Sequence, residues 1–105
     1  MASHDGAALT EAVYYILLSL LSPLHGYGIM QKVESMSGGR LRLAAGTLYG
    51  ALSTLLEKGW IQTVTAERDS RKKEYLITAA GRAVLREEMR RLEELLYNGR
   101  NLLGG

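Results

Sequence analysis

The sequence predicts a mainly α-helical fold that carries one small antiparallel β-hairpin. Apolar residues recur at helical spacing in several separate segments, whereas two short runs alternate or are rich in β-branched residues, as strands are. At 105 residues, of which 47% are hydrophobic, the chain is long enough for one domain with a single core. We therefore predict three helices, a hairpin and a closing helix, in that order.

The third helix, within residues 43–61, is the element around which the others are arranged. One of its sides is apolar and comprises Leu48, Ala51, Leu52, Leu55 and Leu56. The opposite side holds small hydroxyls and a glycine where an ordinary surface helix carries long charged residues, and it consists of Thr47, Gly50, Ser53, Thr54, Glu57 and Lys58. Glycine inside a helix costs about 0.5–1 kcal/mol in stability relative to alanine. A helix that tolerates this cost, and whose outer side is short, suits close approach by another surface. A core helix with a neutral outer side is the alternative.

The first two helices are predicted from their apolar faces and their boundary residues. The first covers residues 9–21, with Thr10 as its N-cap, and ends at Ser22-Pro23. The second covers residues 27–36. It follows a turn in which His25 is a turn residue or a cap. His25 and the distant second histidine have no metal-ligand spacing, so no metal or other cofactor is expected.

The hairpin follows Gly59, which ends the third helix. Residues 60–65 and 73–77 form its strands, and the polar link 67–72 has hairpin length, with Asp69-Ser70 at the apex.

The closing helix is predicted over residues 78–98, with Thr78 as its N-cap and an end or kink at Asn98-Gly99. Four apolar residues at spacings of four, three and four form the a/d seam of a coiled coil: Leu85, Met89, Leu92 and Leu96. The seam either pairs with a second copy, which would cover an exposed apolar stripe, or packs back on its own domain. The carboxylates beside it alternate with arginine and are expected to form surface ion pairs.

The composition excludes several classes of function. The chain has no cysteine, which rules out disulfides and thiolate chemistry and suits a reducing cytoplasm. No apolar run has the length of a membrane span, and no secretion signal is expected. No nucleophile is paired with a base, so catalysis is not expected. The net charge of +2 permits a polyanionic partner without requiring one.

This order of elements is that of a winged helix-turn-helix, in which the third helix enters the DNA major groove. Thr47, Ser53 and Thr54 then suit bonds to base edges or phosphates, and Gly50 permits close backbone approach. The amides near Gly46 and Thr47 suit a phosphate oxygen.

Basic residues near the third helix would reach the phosphates. Arg71, Lys72 and Lys73 lie in the wing and would position the protein on double-stranded DNA, although in isolation they would form an ordinary solvated turn. Lys32, on the outer side of the second helix, is a further candidate contact.

Three stretches carry a family resemblance: GYGIMQKVES, LAAGTLYGALSTLLEKGWI and KKEYLITAAGRAVL. Together they resemble the PadR family of bacterial transcriptional regulators, in its short form with one closing helix. The resemblance covers residues 9–96, and its most specific parts are GTLY and the YLIT that precedes Gly81.

The resemblance implies a homodimer, joined through the last helix and often the first, that represses a promoter until a small hydrophobic or aromatic effector releases it. It places Tyr27, Thr47 and Tyr49 at positions that face DNA or its backbone. Tyr49 has an alternative role in closing the edge of the core, and Tyr27 has the same ambiguity. The family often has proline where this chain has Gly50.

The expected organisation is a flexible N-terminus (1–8), a DNA-binding domain (9–77), a dimerisation helix (78–98) and a flexible tail (99–105). Tyr14, Tyr15 and Tyr97 are candidates to line an effector cavity between two copies, although aromatic residues at helical spacing are more often core. The alternative function is a winged-helix module that binds proteins and not DNA.

Overall fold

The computed structural model describes residues 7–65 and 73–104. In chain order its elements are α1 (Glu11–Ser19), α2 (Gly26–Met36), α3 (Ala45–Lys58), β1 (Ile61–Thr65), β2 (Lys73–Ile77) and α4 (Ala79–Leu103). The predicted fold class, a winged helix-turn-helix with one antiparallel hairpin and a closing helix, is confirmed.

Side-chain caps start three of the helices. Thr10 and Thr78 each accept a hydrogen bond of 3.1 Å from the backbone amide three residues ahead. His25 is a cap as well, because its Nδ1 accepts from the amide of Gly28 at 3.1 Å. Each bond satisfies an amide that the first turn of a helix would otherwise leave unpaired.

The hairpin is attached to the helices through its second strand. Ile61 pairs with Ile77 at the base of the hairpin. On the other edge of β2, Tyr75 exchanges two backbone bonds with Leu24 in the α1–α2 link, at 2.9 and 3.1 Å. This attachment fixes the wing relative to α2 and α3. The predicted turn, including Asp69-Ser70, lies outside the described residues.

One core joins all six elements. Its buried apolar residues are Ile16, Leu17, Leu20, Ile29, Val33, Leu48, Leu52, Leu55, Trp60, Ile61, Tyr75, Ile77, Val84 and Leu85. One close approach is at Gly81, where a Cβ would lie 2.2 Å from the Trp60 carbonyl oxygen and 2.7 Å from Ile77 Cγ1. Glycine at this position therefore lets the first turn of α4 pack against the backbone of Trp60, between α3 and β1.

The predicted end of α4 is wrong. The helix continues through Gly99 to Leu103 and is capped by Gly104 in the left-handed conformation, with φ of 80°. A single interior glycine costs only about 1 kcal/mol, which the helix formers around it offset. The stretch 99–105 is therefore helical as far as Leu103. Of the helices in the described ranges, none combines the length and hydropathy of a membrane span.

Candidate nucleic-acid interface

One side of α3 is open to solvent and consists of small residues. These residues define the outer α3 face: Gly46, Thr47, Gly50, Ser53 and Thr54. A Cβ added at Gly46 or Gly50 would meet nothing within 4 Å, so no packing inside the protomer requires glycine at either position. The opposite side is buried through Leu48, Leu52 and Leu55, as predicted, while Leu56 lies at the boundary with 36% exposure.

The N-terminus of α3 suits an anionic partner. Ala44 occupies the N-cap position and makes no side-chain cap bond, and no acidic residue lies in the first turn. The positive end of the helix dipole is thus neither capped nor neutralised by a side chain. Gly46 and Thr47 belong to this turn, which gives a phosphate oxygen access to their backbone.

Tyr49 spans the junction between α3 and α2. A Cβ at Gly26 would lie 2.2 Å from the Tyr49 hydroxyl oxygen, so the tyrosine occupies space that only glycine leaves open. Burial and, to a smaller extent, the nearby Tyr49 raise the pKa of Tyr75. Because Tyr49 also keeps about half of its surface exposed, it both closes the core edge and faces solvent.

Of the other candidate DNA contacts, those within the described residues lie on α2 and at the start of β2. Tyr27, the second residue of α2, is 62% exposed, and Lys32 is exposed further along the same helix. Lys73 is exposed at the start of β2. The wing residues Arg71 and Lys72 lie outside the described residues.

Two arginines that precede α3 form ion pairs with other helices. Arg40 pairs with Glu11 of α1, and this hydrogen bond lowers the pKa of the Glu11 carboxyl group. Arg42 pairs with Glu34 of α2 at 3.2 Å. Both pairs are solvent-exposed and are expected to contribute little to stability.

The apolar seam of α4 is divided between the core and solvent. Leu85 is 4% exposed and packs in the protomer's own core, so it does not belong to a surface available to a partner. Met89, Leu92 and Leu96 are exposed. Three further leucines, which the heptad spacing does not include, are exposed on the same helix: Leu95, Leu102 and Leu103. We call these six exposed residues the α4 stripe.

The candidate effector residues are not brought together within one protomer. Tyr14 and Tyr15 contact each other edge to face, with ring centroids 6.0 Å apart. Burial, followed by the nearby Glu88, raises the pKa of Tyr14. Tyr97 lies further along α4 than Glu88, the residue near Tyr14. The helical rise places Tyr97 roughly 13 Å beyond Glu88 along the helix axis.

Glu88 departs from the expectation of surface ion pairs along α4. Its side chain is 4% exposed and accepts bonds of 3.0 and 2.5 Å from Arg91. Burial of this carboxylate on the side of α4 near Tyr14 makes it part of the α1–α4 contact. Within the described residues, no group of acidic or histidine side chains is arranged to hold a metal ion.

Solved structures share this architecture. A PadR family transcriptional regulator from Eggerthella lenta DSM 2243 is 27% identical, with a TM-score of 0.70, over 87% of this chain and 80% of that one. A transcriptional regulator from Clostridium thermocellum is 19% identical (TM-score 0.68, 89% and 88% covered). Bordetella bronchiseptica BpsR is 17% identical (TM-score 0.71, 91% and 64% covered). The last two, at low identity, show the fold alone.

Comparison of the sequence with known proteins identifies one relative and one protein family. An uncharacterized 37.1 kDa protein in transposon TN4556 of Streptomyces fradiae is 38% identical over 86 residues, which cover 81% of this chain and 24% of that protein. This chain thus spans about a quarter of that relative's length. The model of the transcriptional regulator PadR-like family matches residues 16–87. This family and its structural relatives are transcriptional regulators and not enzymes. The family match, which covers most of the folded chain, shows that the protein belongs to the PadR-like family of transcriptional regulators.

Proposed function

We propose that this protein is a sequence-specific DNA-binding repressor that acts as a homodimer. The observation that carries the proposal is the outer α3 face, above all Gly50. An exposed helix position where a Cβ would meet nothing gains stability from alanine, yet this chain keeps glycine there. Contact with an external surface, here the floor of the major groove, explains why a side chain is absent.

The groups around Gly50 have the chemistry that a groove-bound helix requires. The Ser53 hydroxyl can donate to or accept from a base edge, and the Thr54 hydroxyl, which donates to the Gly50 carbonyl at 3.3 Å, can accept from one. Thr47 lies at the uncapped end of α3, suited to a phosphate. Tyr27 and Lys32 add phosphate contacts from α2. Lys73 adds one from the wing, together with the predicted contacts of Arg71 and Lys72.

The α4 stripe supplies the proposed dimer contact. Its leucines lie on a helix that extends beyond the core, and the molecule measures 54 Å along its longest axis. Contiguous exposed apolar surface of this kind marks interaction sites. A two-fold axis through paired α4 helices would present two α3 helices to half-sites about 34–36 Å apart, which is one turn of DNA. The dimerisation helix then comprises residues 79–103.

Release by a small hydrophobic or aromatic effector completes the proposal. The similarly folded BpsR has its DNA binding regulated by 6-hydroxynicotinic acid, which supports control of this kind on this fold. The proposed location is the cytoplasm, where a bacterial regulator meets its operator.

The test is a fluorescence-anisotropy titration of the protein with a duplex that carries the gene's own upstream sequence, at several salt concentrations. We expect tighter binding than to a scrambled duplex and a log–log salt slope of about −0.9 for each phosphate contacted. Affinity that ignores both salt and sequence would contradict the proposal. A stable protein partner recovered without any DNA binding would favour the protein-interaction module instead.

Selection experiments separate base contacts from phosphate contacts. We expect Ser53→Ala and Thr54→Ala to change the preferred sequence in a randomised-duplex selection, because hydroxyls on the outer α3 face would contact base edges. Ser35→Ala is the matched control, since Ser35 is exposed on the last turn of α2, away from this face. If both α3 variants select the same sequence as the wild type, the hydroxyls of Ser53 and Thr54 do not contact base edges.

A further inference from the structure

Gly50 lies at the centre of a patch of small residues on the outer α3 face. On the surface of a helix, the neighbours of a residue are those three and four positions away. For Gly50 these neighbours are small on both sides, namely Gly46, Thr47, Ser53 and Thr54. All of them are exposed, and a Cβ built on Gly50 would meet nothing within 4 Å. This surface, which we call the Gly50 hollow, therefore has room for a methyl group of another molecule.

The Gly50 hollow lies where a recognition helix reads bases. Gly50 is in the second turn of α3, and the N-terminal residues of such a helix contact base edges in the major groove. The long side chains of the same side, Glu57 and Lys58, come in the last turn, and the helical rise places them roughly 10–12 Å further along the axis. The Lys58 ammonium nitrogen also lies 5.1 Å from the centroid of the Trp60 ring. These side chains therefore leave the hollow open to a base.

The chemistry of the Gly50 hollow distinguishes among the four bases. The Gly50 carbonyl accepts from the Thr54 hydroxyl at 3.3 Å as well as from the amide bond of the helix, so both of its lone pairs are engaged. Gly50 then offers an apolar Cα to the groove, and Ser53 offers a hydroxyl donor one turn further on.

Thymine is the base that matches these two groups. Guanine and adenine are read in the major groove by arginine, lysine, asparagine or glutamine, and cytosine by a carboxylate. None of these side chains is a neighbour of Gly50 on the α3 surface. Thymine presents an acceptor, O4, and a methyl group on the same edge, so it needs one donor and an apolar space.

We propose that Gly50 receives the C5-methyl group of a thymine in each half-site of the operator, and that the Ser53 hydroxyl donates to O4 of the same base. The protein then lacks a side chain at the point where the base carries its methyl group. This assignment rests on the proposed function, since it names the base that the outer α3 face reads. It makes Gly50 a residue that determines sequence specificity.

Removing the methyl group from the DNA tests the contact directly. In the duplex that carries the gene's own upstream sequence, each thymine is replaced in turn by deoxyuridine, which keeps O4 and the base pairing and lacks the C5-methyl group. We expect a position in each half-site at which the wild-type protein binds about fourfold more weakly in fluorescence anisotropy, the effect of one buried methyl group (~0.8 kcal/mol). A wild-type protein that is indifferent to every such replacement would overturn the thymine contact.

Adding a methyl group to the protein tests which residue receives the thymine. In Gly50→Ala the alanine methyl and the thymine methyl compete for the same space. Compared with the wild type on the same duplex, this variant should lose at least tenfold in affinity for the thymine duplex, but less than threefold when deoxyuridine occupies both sensitive positions. Ser35→Ala is the matched control and should respond to deoxyuridine as the wild type does. Equal losses by Gly50→Ala on the two duplexes would overturn the assignment to Gly50.

Ser53→Ala tests the second contact. Because O4 is present in both thymine and deoxyuridine, this variant should bind both duplexes about fivefold more weakly, as expected for one lost hydrogen bond, and keep the wild-type ratio between them. Wild-type affinity of Ser53→Ala for both duplexes would overturn the bond to O4.

Binding of the unmodified duplex separates this contact from the proposed function. Tight, salt-dependent binding to the upstream duplex without any response to deoxyuridine would overturn only the thymine contact. Failure of the wild-type protein to bind this duplex would overturn the proposed function, and the thymine contact with it.

Discussion

Replacing Gly50 with alanine separates the stability of the protomer from its binding to DNA. The new Cβ would meet nothing within 4 Å, so the folded protomer gains the helix propensity of alanine without a clash. That gain is about 0.5–1 kcal/mol. With an unfolding entropy near 2.1 cal/mol/K per residue over 105 residues, the melting temperature should rise by roughly 2–5 °C.

The same methyl group should weaken DNA binding. If the α3 backbone approaches the groove at Gly50, a Cβ moves the helix outward and lengthens the bonds that Ser53 and Thr54 make. Losing one good contact to a base edge costs about 1–3 kcal/mol, so we expect a loss of affinity of roughly tenfold or more. Thermal denaturation and fluorescence anisotropy with the upstream duplex measure the two effects on the same sample.

Ser35→Ala provides the control for this experiment. It also raises helix propensity, but on α2, and should leave DNA affinity unchanged. A Gly50→Ala protein that is more stable and binds DNA as tightly as the wild type would refute close approach at Gly50. A protein that is less stable would show that the outer α3 face is packed against something in the free protein.

Three further predictions concern the wing, the α4 stripe and the core. Arg71→Ala and Lys72→Ala should weaken binding to all duplexes alike and reduce the salt slope by about one each; normal binding by both variants in an anisotropy titration would show that the wing does not contact DNA. Leu92→Asp should give a monomer in sedimentation equilibrium with an unchanged helical circular dichroism spectrum, whereas an intact dimer would place the interface elsewhere. Gly81→Ala should destabilise the protein by about 1–3 kcal/mol in urea denaturation, because its Cβ would overlap the Trp60 carbonyl oxygen; wild-type stability would show that α4 shifts without cost.

The fold was predictable because its signals are local. Thr10 and Thr78 cap the helices as predicted, and Gly59 ends α3 with a left-handed φ of 76°. The apolar period of α3 identified the buried leucines, and the alternation in β2 placed Tyr75 and Ile77 inside. Each of these features depends on residues a few positions apart, which the sequence displays directly.

The missed features depend on distant contacts. The heptad spacing could not show that Leu85 is covered by the protomer's own core while Leu92 remains exposed, because only the first turns of α4 pack against α1 and β2. Glu88 looks like a surface residue until that packing buries it.

The candidate site was predictable to a similar extent. All residues of the outer α3 face are exposed as expected, since the helical period fixes which side faces the core. The structural role of Tyr49 required knowledge of how α2 and α3 cross, because its hydroxyl lies against Gly26. Periodicity gives the side of a helix on which a residue lies, but not the element that it meets.

The most direct measurement is amide chemical-shift mapping of the ¹⁵N-labelled protein as the upstream duplex is added. We predict that the largest changes fall on Gly46, Thr47, Gly50 and Ser53, and that the amides of Leu92 and its neighbours on the α4 stripe change little. Shifts concentrated on the α4 stripe, with the outer α3 face unaffected, would contradict the account.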